Sequence, residues 1–551
     1  MKYVFYVLLV LAAFAIPDFI QRKRREKRIR RYIERVWGQE SERFDEPVKD
    51  FDPVSALYKQ MRQRSDQGFF IDDITWNDLI MDDIYNRINH TMSVSGEQYL
   101  YYMLRRTREE ESSLSKRIEH LDLFQKNPEQ CKAIQYFLME YGKNRQYDFS
   151  KYFFESSGRI YESNTRYILQ ALFMILSPLL LLIDQSMGVV IALSLVFNII
   201  THYTRSKQIR RNIAILTWMV DLLKYAGKIE KKNFPILKDF PLKETLKKVQ
   251  SAKIKGIHYM IFESQNVLLE YVKAVFLAEL IVYGKYMKLL ESKREAFLQL
   301  YLIMGKIDSY ISIASVRDTY PVWCVPEFYP EGDLRVTQHK AYHPLIRYPV
   351  PNDLDMKKCI LITGSNASGK STFLKTIAVN AIFAQTICTC LAERYQGSIV
   401  NLYTSMALRD DIVSQESYYI VEIKSLKRIL DAVSVKKNVL CFVDEVLRGT
   451  NTIERIAASS EILKHFSRFG ALCMAATHDI ELAEILAGLY ENYHFQEYIT
   501  EDDITFDYIL YPDKTQTRNA IQLLRLMGYQ PEIVQQADLN AKRFIDTGLW
   551  K

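Results

Sequence analysis

At 551 residues, with 48% hydrophobic and 25% charged positions and few Gly or Pro, the chain is long enough for about two or three domains, and its composition excludes wholesale disorder. A net charge of +7 is too mild to argue for nucleic acid on global grounds. Seven cysteines, odd in number and without a CxxC pair, fit neither a disulfide framework nor a zinc site and read as buried, reduced thiols.

The first element is Tyr3–Ile20, apolar apart from Asp18. Eighteen helical residues reach about 27 Å, enough for a bilayer core. A cleaved leader is the competing reading, because Ala13-Phe-Ala15 looks like a cleavage site. Only Lys2 precedes the segment, whereas Arg22–Arg31 (RKRREKRIRR) holds eight basic residues against one acidic. That asymmetry predicts an uncleaved anchor over 1–21 with its N-terminus outside, and a cytoplasmic basic linker over 22–50. Residues 51–150 read as the first part of a helical core, with apolar residues three or four apart in Gly96–Arg106 and Leu114–Gln125.

Within 151–205, the apolar runs Ile168–Ile183 and Val189–Ile200 flank the polar hinge Asp184-Gln-Ser-Met-Gly188. Arg159 and Arg166 precede the pair, and Arg205, Lys207, Arg210 and Arg211 follow it, as a hairpin with both ends in the cytoplasm requires. A buried helical hairpin in a soluble core is the alternative, since each run is short for a span. The topology expected is a multi-pass protein of the cell membrane, with three helices across it and the large C-terminal remainder in the cytoplasm. Residues 206–320 again read as helical core and lever, with Asn266–Gly305 an almost unbroken periodic run of about 40 residues. Six prolines and short extended runs between Tyr320 and Pro351 mark a domain boundary, and an α/β pattern occupies 321–551.

The chemistry lies in that last region. Lys358–Thr363 is an apolar strand running into Gly364-Ser365-Asn366-Ala367-Ser368-Gly369-Lys370-Ser371-Thr372, and Ser371–Ala384 reads as a helix. Strand, glycine-bearing loop and helix together cradle phosphates on backbone N–H groups and a helix dipole. Lys370 is expected to reach the β- and γ-phosphates of ATP and Ser371 to ligate Mg2+. The buried strand Asn438–Val443 ends in Asp444-Glu445, of which Asp444 would hold Mg2+ and Glu445 would orient or deprotonate the attacking water. A third strand, Ala471–Ala476, delivers Thr477-His478, placing His478 to contact the γ-phosphate.

These motifs resemble those of the MutS family, relatives of the ABC-type ATPases. GSNASGKST at 364–372 is similar to the family's GPNMGGKST, Asp444–Thr452 (DEVLRGTNT) to its DE-x-GRGTST, and Ala476-Thr-His478 to its ATH. His343-Pro344 and Pro351-Asn-Asp353 sit where the family has its HP and PND elements. Thr91–Phe124 is similar to its core helices and Ile307-Asp308-Ser309 to the end of its lever helix. The resemblance covers roughly residues 70–150 and 260–545. It implies a helical core and lever region followed by an ABC-type P-loop ATPase domain; together with the apolar runs, the fold expected is α plus α/β with a transmembrane hairpin inserted in the core, a feature foreign to the family's repair enzymes. It also implies a homodimer with composite sites, in which Ser417 of Gln415–Glu422 would reach the other subunit's γ-phosphate.

The departures matter as much. Tyr418 stands where the family has Thr after the signature Ser, and Leu447 where it has Gly. No mismatch-reading or connector domain is expected ahead of the core, and the Phe-x-Glu tripeptides Phe44–Glu46 and Phe153–Glu155 lie in no suitable domain. Two functions follow. One is a membrane-anchored ATPase that also binds DNA, using the Lys/Arg-rich segment Arg205–Lys255. The other is an ATP-driven switch on a membrane or protein partner, with that segment a solvated or lipid-facing surface. An ABC transporter fits poorly, because no LSGGQ signature occurs.

Overall fold

The computed structural model describes residues 20–40, 47–64, 68–107, 109–143, 145, 150–154, 164–250, 267–330, 332–365, 368–406, 418–435, 438–499, 504–514 and 520–550. The apolar stretch expected to form an N-terminal anchor is outside them except for its last residue, Ile20. The chain forms two compact units. One contains 1–66, 88–102 and 119–319; the other contains 67–87, 103–118 and 320–551.

The first unit is helical. A helix over 20–36 carries the basic block, and α1 (Val94–Arg105) begins inside this unit. The start of α1 is held by the carboxylate of Asp308, on α6 (Arg294–Thr319). Asp308 accepts the N–H of Met92 at 3.0 Å, the N–H of Ser93 at 2.8 Å and the Ser93 hydroxyl at 2.5 Å. These N–H groups precede or open a helix and have no intrahelical partner, so an imported carboxylate takes the place of a cap. Gly96 makes room for it, since a Cβ there would collide with the Asp308 carboxylate. Glu97, also fully buried, pairs with Arg145 at 2.5 Å and Lys143 at 3.3 Å.

The two apolar runs form a helical hairpin. The first is α2 (Thr165–Leu176), continued by a 3-10 turn at Ser177–Leu182. Pro178 explains the change of pitch, because it has no N–H for the Met174 carbonyl. The Ser177 hydroxyl donates to that carbonyl instead, at 3.1 Å. The tip is turned by Asp184, whose side chain accepts the Ser186 N–H. The return arm of the hairpin opens α3 (Gly188–Lys231), a continuous helix of 44 residues and about 66 Å. The two segments Thr165–Leu182 and Gln185–Lys207 are long and apolar enough to cross a membrane. Most of their large side chains are exposed, Leu169 by 61%, Leu182 by 84% and Leu193 by 65%, while Tyr167 is buried with Leu277 and Leu280.

The run expected to form one helix from 266 to 305 is divided into α4 (Val267–Phe276), α5 (Ala278–Ser292) and α6. Leu277 sits between the first two with φ +51°, left-handed, which stops α4. The Val275 carbonyl left over at that end accepts from Asn198 of α3 at 2.9 Å. Two turns further along α3, Ser206 donates to Glu279 of α5 at 3.0 Å, and His202 lies 3.2 Å from the same carboxylate.

The second unit is built on a six-stranded sheet: β1 (Cys359–Thr363), β2 (Asn401–Ser405), β3 (Val439–Asp444), β4 (Leu472–Thr477), β5 (Tyr490–Ile499) and β6 (Ile504–Pro512), in the order β6-β5-β1-β4-β3-β2. All neighbours are parallel except the β5–β6 pair. Strands β1 to β4 are buried at every residue, which is why β1, β3 and β4 read as largely apolar runs rather than alternating ones; β2 (NLYTS) is buried with polar residues in it. A smaller four-stranded sheet contains Glu327–Phe328, Val336–Ala341, Asn352–Met356 and Arg394–Gly397. Residues 67–87 and 103–118 join this unit through polar contacts. Asp78 accepts the Thr404 hydroxyl at 2.7 Å and the Met406 N–H at 3.0 Å, and Arg117 donates to the Thr386 carbonyl at 2.6 Å.

Candidate functional site

Three adjacent strands, β1, β4 and β3, deliver their loops at one edge of the sheet, where parallel strands leave helix N-termini and unpaired backbone groups available to a ligand. From β1 the chain turns through Gly364 (φ +146°) and Gly369 (φ +103°) into α7 (Lys370–Thr386). A side chain at either glycine would be strained by its φ and crowded, with a Cβ 3.1 Å from the Phe495 carbonyl oxygen at Gly364 and 3.1 Å from the Tyr508 ring at Gly369. Lys370 folds back beneath the loop and donates to the carbonyls of Gly364 at 2.7 Å and Ser365 at 2.6 Å. Burial brings its ammonium down to about 8, with Asp444 and Glu445 working in the opposite direction. Ser368 donates to the Ser365 carbonyl at 2.9 Å, and the Ser365 hydroxyl reaches Glu497 of β5. Ser371 and Thr372 are exposed at the start of α7. Asn366, Ala367 and Ser417 lie outside the described residues.

Asp444 ends β3, is buried, and its Oδ1 has no hydrogen-bond partner among the described residues. Glu445 follows with φ +54°, its N–H donating across to the Ala476 carbonyl of β4 at 2.9 Å. Its carboxylate meets His478 Nε2 at 2.8 Å and pairs with Arg448. Partial burial pushes the Glu445 carboxyl up, but His478, Arg448 and Lys370 outweigh it and hold the group below the ordinary carboxylate range. It is therefore an ionised acceptor at neutral pH. The turn carrying His478 is braced by Asp479, which takes a two-pronged ion pair from Arg455 on α9 (Thr452–Arg468) at 2.6 and 2.9 Å.

A cavity of about 530 Å³ opens on this edge, lined by the loop residues Ser365 and Ser368–Thr372 and by Glu445. That is within the ordinary size of a small-molecule site. Its far side holds Tyr348, Val350, Asn352 and Tyr508, none of which the sequence motifs single out as binding residues. Asn352 pins this wall, donating to the Tyr508 carbonyl at 2.9 Å and accepting the Leu510 N–H at 2.8 Å. His343 also lines the cavity; burial pushes its imidazole down to about 4, so it is neutral there. Arg448, Arg455 and Glu497 are equally absent from the sequence-based site; their partners are Glu445, Asp479 and Ser365, the last two 24 and 132 residues away in sequence.

The domain family described as MutS domain V matches residues 360–544, a stretch that takes in β1, the loop, Asp444-Glu445 and His478. The C-terminal half of the chain is MutS-family. Its relatives include three proteins called DNA mismatch repair protein MutS. That of Natronomonas pharaonis is 30% identical over 257 residues, 44% of this chain and 29% of its own. That of Pseudothermotoga lettingae is 30% identical over 268 residues, 46% of this chain and 32% of its own. The Thermus aquaticus protein is 27% identical over 245 residues, 44% of this chain and 30% of its own. The match thus spans under a third of the length of these curated relatives.

Proposed function

We propose that the chain is a membrane-anchored MutS-like ATPase, binding and hydrolysing ATP with Mg2+ on an ABC-type P-loop domain and working as a dimeric switch. The observation that carries the reading is the meeting of four groups at one sheet edge: Lys370, the buried unpartnered oxygen of Asp444, and the Glu445–His478 pair. The residues fit the cofactors. Lys370 and the N-terminus of α7 would take phosphate oxygens, Ser371 and Asp444 would hold hydrated Mg2+, and the exposed Tyr348 ring beside Tyr508 offers an apolar face for a base. When bound, Mg2+ neutralises phosphate charge. The protein's own part is to hold Glu445 ionised as a general base, with His478 orienting it. The signature Ser417 would complete the site across a dimer. Phosphate release by the full chain, compared with Lys370→Ala, tests this reading.

What the switch moves has two readings. The relatives are mismatch-repair proteins by name, which favours DNA as a partner. The exposed apolar hairpin favours a membrane partner without nucleic acid: its first arm, twelve α residues and six 3-10 residues, measures about 30 Å, the thickness of a bilayer core. In the membrane reading the tip at Asp184–Met187 lies on the far side from the ATPase domain. A Ser186→Cys variant in right-side-out vesicles is then expected to react with an impermeant maleimide from outside. Labelling of the Ser186→Cys thiol from the ATPase side alone would remove the hairpin from the bilayer and leave the DNA reading to be tested by salt-sensitive, nucleotide-dependent DNA binding.

A further inference from the structure

The turn that carries Glu445 is held by a carboxylate that the proposed hydrolysis does not use. Glu445 and Leu447 both have left-handed backbone, with φ of +54° and +60°. Residues with a Cβ adopt that shape against a steric penalty, so it persists only where neighbours over-determine it. At 447 the MutS motif has Gly, which makes the constraint at this Leu more demanding. Three contacts supply it. The Glu445 N–H is tied to the Ala476 carbonyl at 2.9 Å, and the Val446 carbonyl accepts from Ser459 of α9 at 3.1 Å. The third comes from α8 (Tyr418–Val435): Glu422 Oε1 accepts the Leu447 N–H at 2.5 Å, and the same carboxyl takes the Arg448 N–H.

One turn earlier on α8, Tyr419 lies against Gly449, where a Cβ would stand 2.8 Å from the Tyr419 Cβ. Tyr419 and Glu422 are three residues apart and therefore share a helix face. The first turn of α8 thus grips the turn from 447 to 449 at two points. We propose that Glu422 is the positioning residue for the general base, its buried carboxyl oxygen fixing the left-handed turn so that Glu445 presents its carboxylate to the cavity. The inference rests on the reading of Glu445 as that base. It also makes the start of α8, immediately after the signature segment, mechanically continuous with the acid pair.

Glu422 Oε2 has no hydrogen-bond partner among the described residues, so one acceptor oxygen is enough for this role. Gln retains that oxygen and Leu does not. In the full-length chain, Glu422→Leu is expected to lower kcat by about tenfold or more while leaving KM for Mg-ATP and binding of a fluorescent ATP analogue within about threefold. Glu422→Gln is expected to restore kcat to within about threefold of wild type, since the hydrogen bond to the turn is kept. A merely structural role would lower thermal stability and the fraction of chains that bind nucleotide, with kcat per bound nucleotide unchanged. Equal kcat per bound nucleotide in wild type and Glu422→Leu overturns the proposal. If Glu422→Leu binds no nucleotide at all, Glu422→Asp, one methylene shorter, is read in its place by the same criterion. A wild-type chain that binds ATP but never releases phosphate would instead overturn the reading of Glu445, and with it this role for Glu422.

Discussion

Glu445→Gln is expected to keep ATP binding and to lower turnover by about 10²- to 10³-fold. Gln has the size of Glu and can still accept a hydrogen bond from His478, but it cannot take a proton from water. The wild-type carboxylate is kept ionised by its neighbours, His478 at 2.8 Å and the cations of Arg448 and Lys370, so the base is ready at neutral pH. Removing its charge also leaves Arg448 without this counter-ion. That should tighten, rather than weaken, the hold on an anionic nucleotide. If hydrolysis opens the dimer, the variant should accumulate as an ATP-bound dimer on size exclusion. Comparing phosphate release with nucleotide retention in single turnover separates the two effects. Turnover near the wild-type rate would take the base role away from Glu445.

Asp308→Ala carries the largest stability effect expected in the helical unit, about 3–5 kcal/mol at pH 5. The carboxyl is fully buried and serves the Met92 N–H, the Ser93 N–H and the Ser93 hydroxyl, and Ala would strand all of them while leaving a cavity beside Gly96. Burial raises the carboxyl from 3.8 to about 6, against the opposing hydrogen bonds of Ser93 and Met92. The folded state therefore holds this proton where the unfolded chain has released it. The stability it confers is full below the unfolded value and is lost as pH rises through about 6. The gap between wild type and Asp308→Ala in urea unfolding should accordingly narrow by about 1 kcal/mol between pH 5 and pH 8. A gap that stays level from pH 5 to pH 8 would mean that the buried group is charged throughout.

The sheet edge that carries the candidate site was legible in the sequence for a physical reason. Parallel strands covered on both faces favour apolar residues on both sides, so Cys359–Thr363, Val439–Asp444 and Leu472–Thr477 stand out as short, largely apolar runs, each ending at a candidate site residue. The groups that brace the site were not legible. Arg455 with Asp479, Glu422 with Leu447 and Asn352 with Tyr508 meet only after folding, across separations of 24, 25 and 156 residues. The same holds for Asp78, whose partners Thr404 and Met406 draw residues 67–87 into the sheet-containing unit. The break at Leu277 was invisible for another reason: neither Gly nor Pro marks it, and apolar residues continue at helical spacing on both sides. In the hairpin, the two continuous apolar runs located both arms, while the 3-10 stretch at Ser177–Leu182 follows from Pro178.

Phosphate release from Mg-ATP by the purified full-length chain, measured across chain concentration beside Lys370→Ala, tests the account most directly. Turnover is expected to require Mg2+, to rise per chain as dimers form, and to fall to background in Lys370→Ala. Phosphate release that survives chelation of Mg2+ or loss of Lys370, or none at all from a chain saturated with ATP, would contradict it.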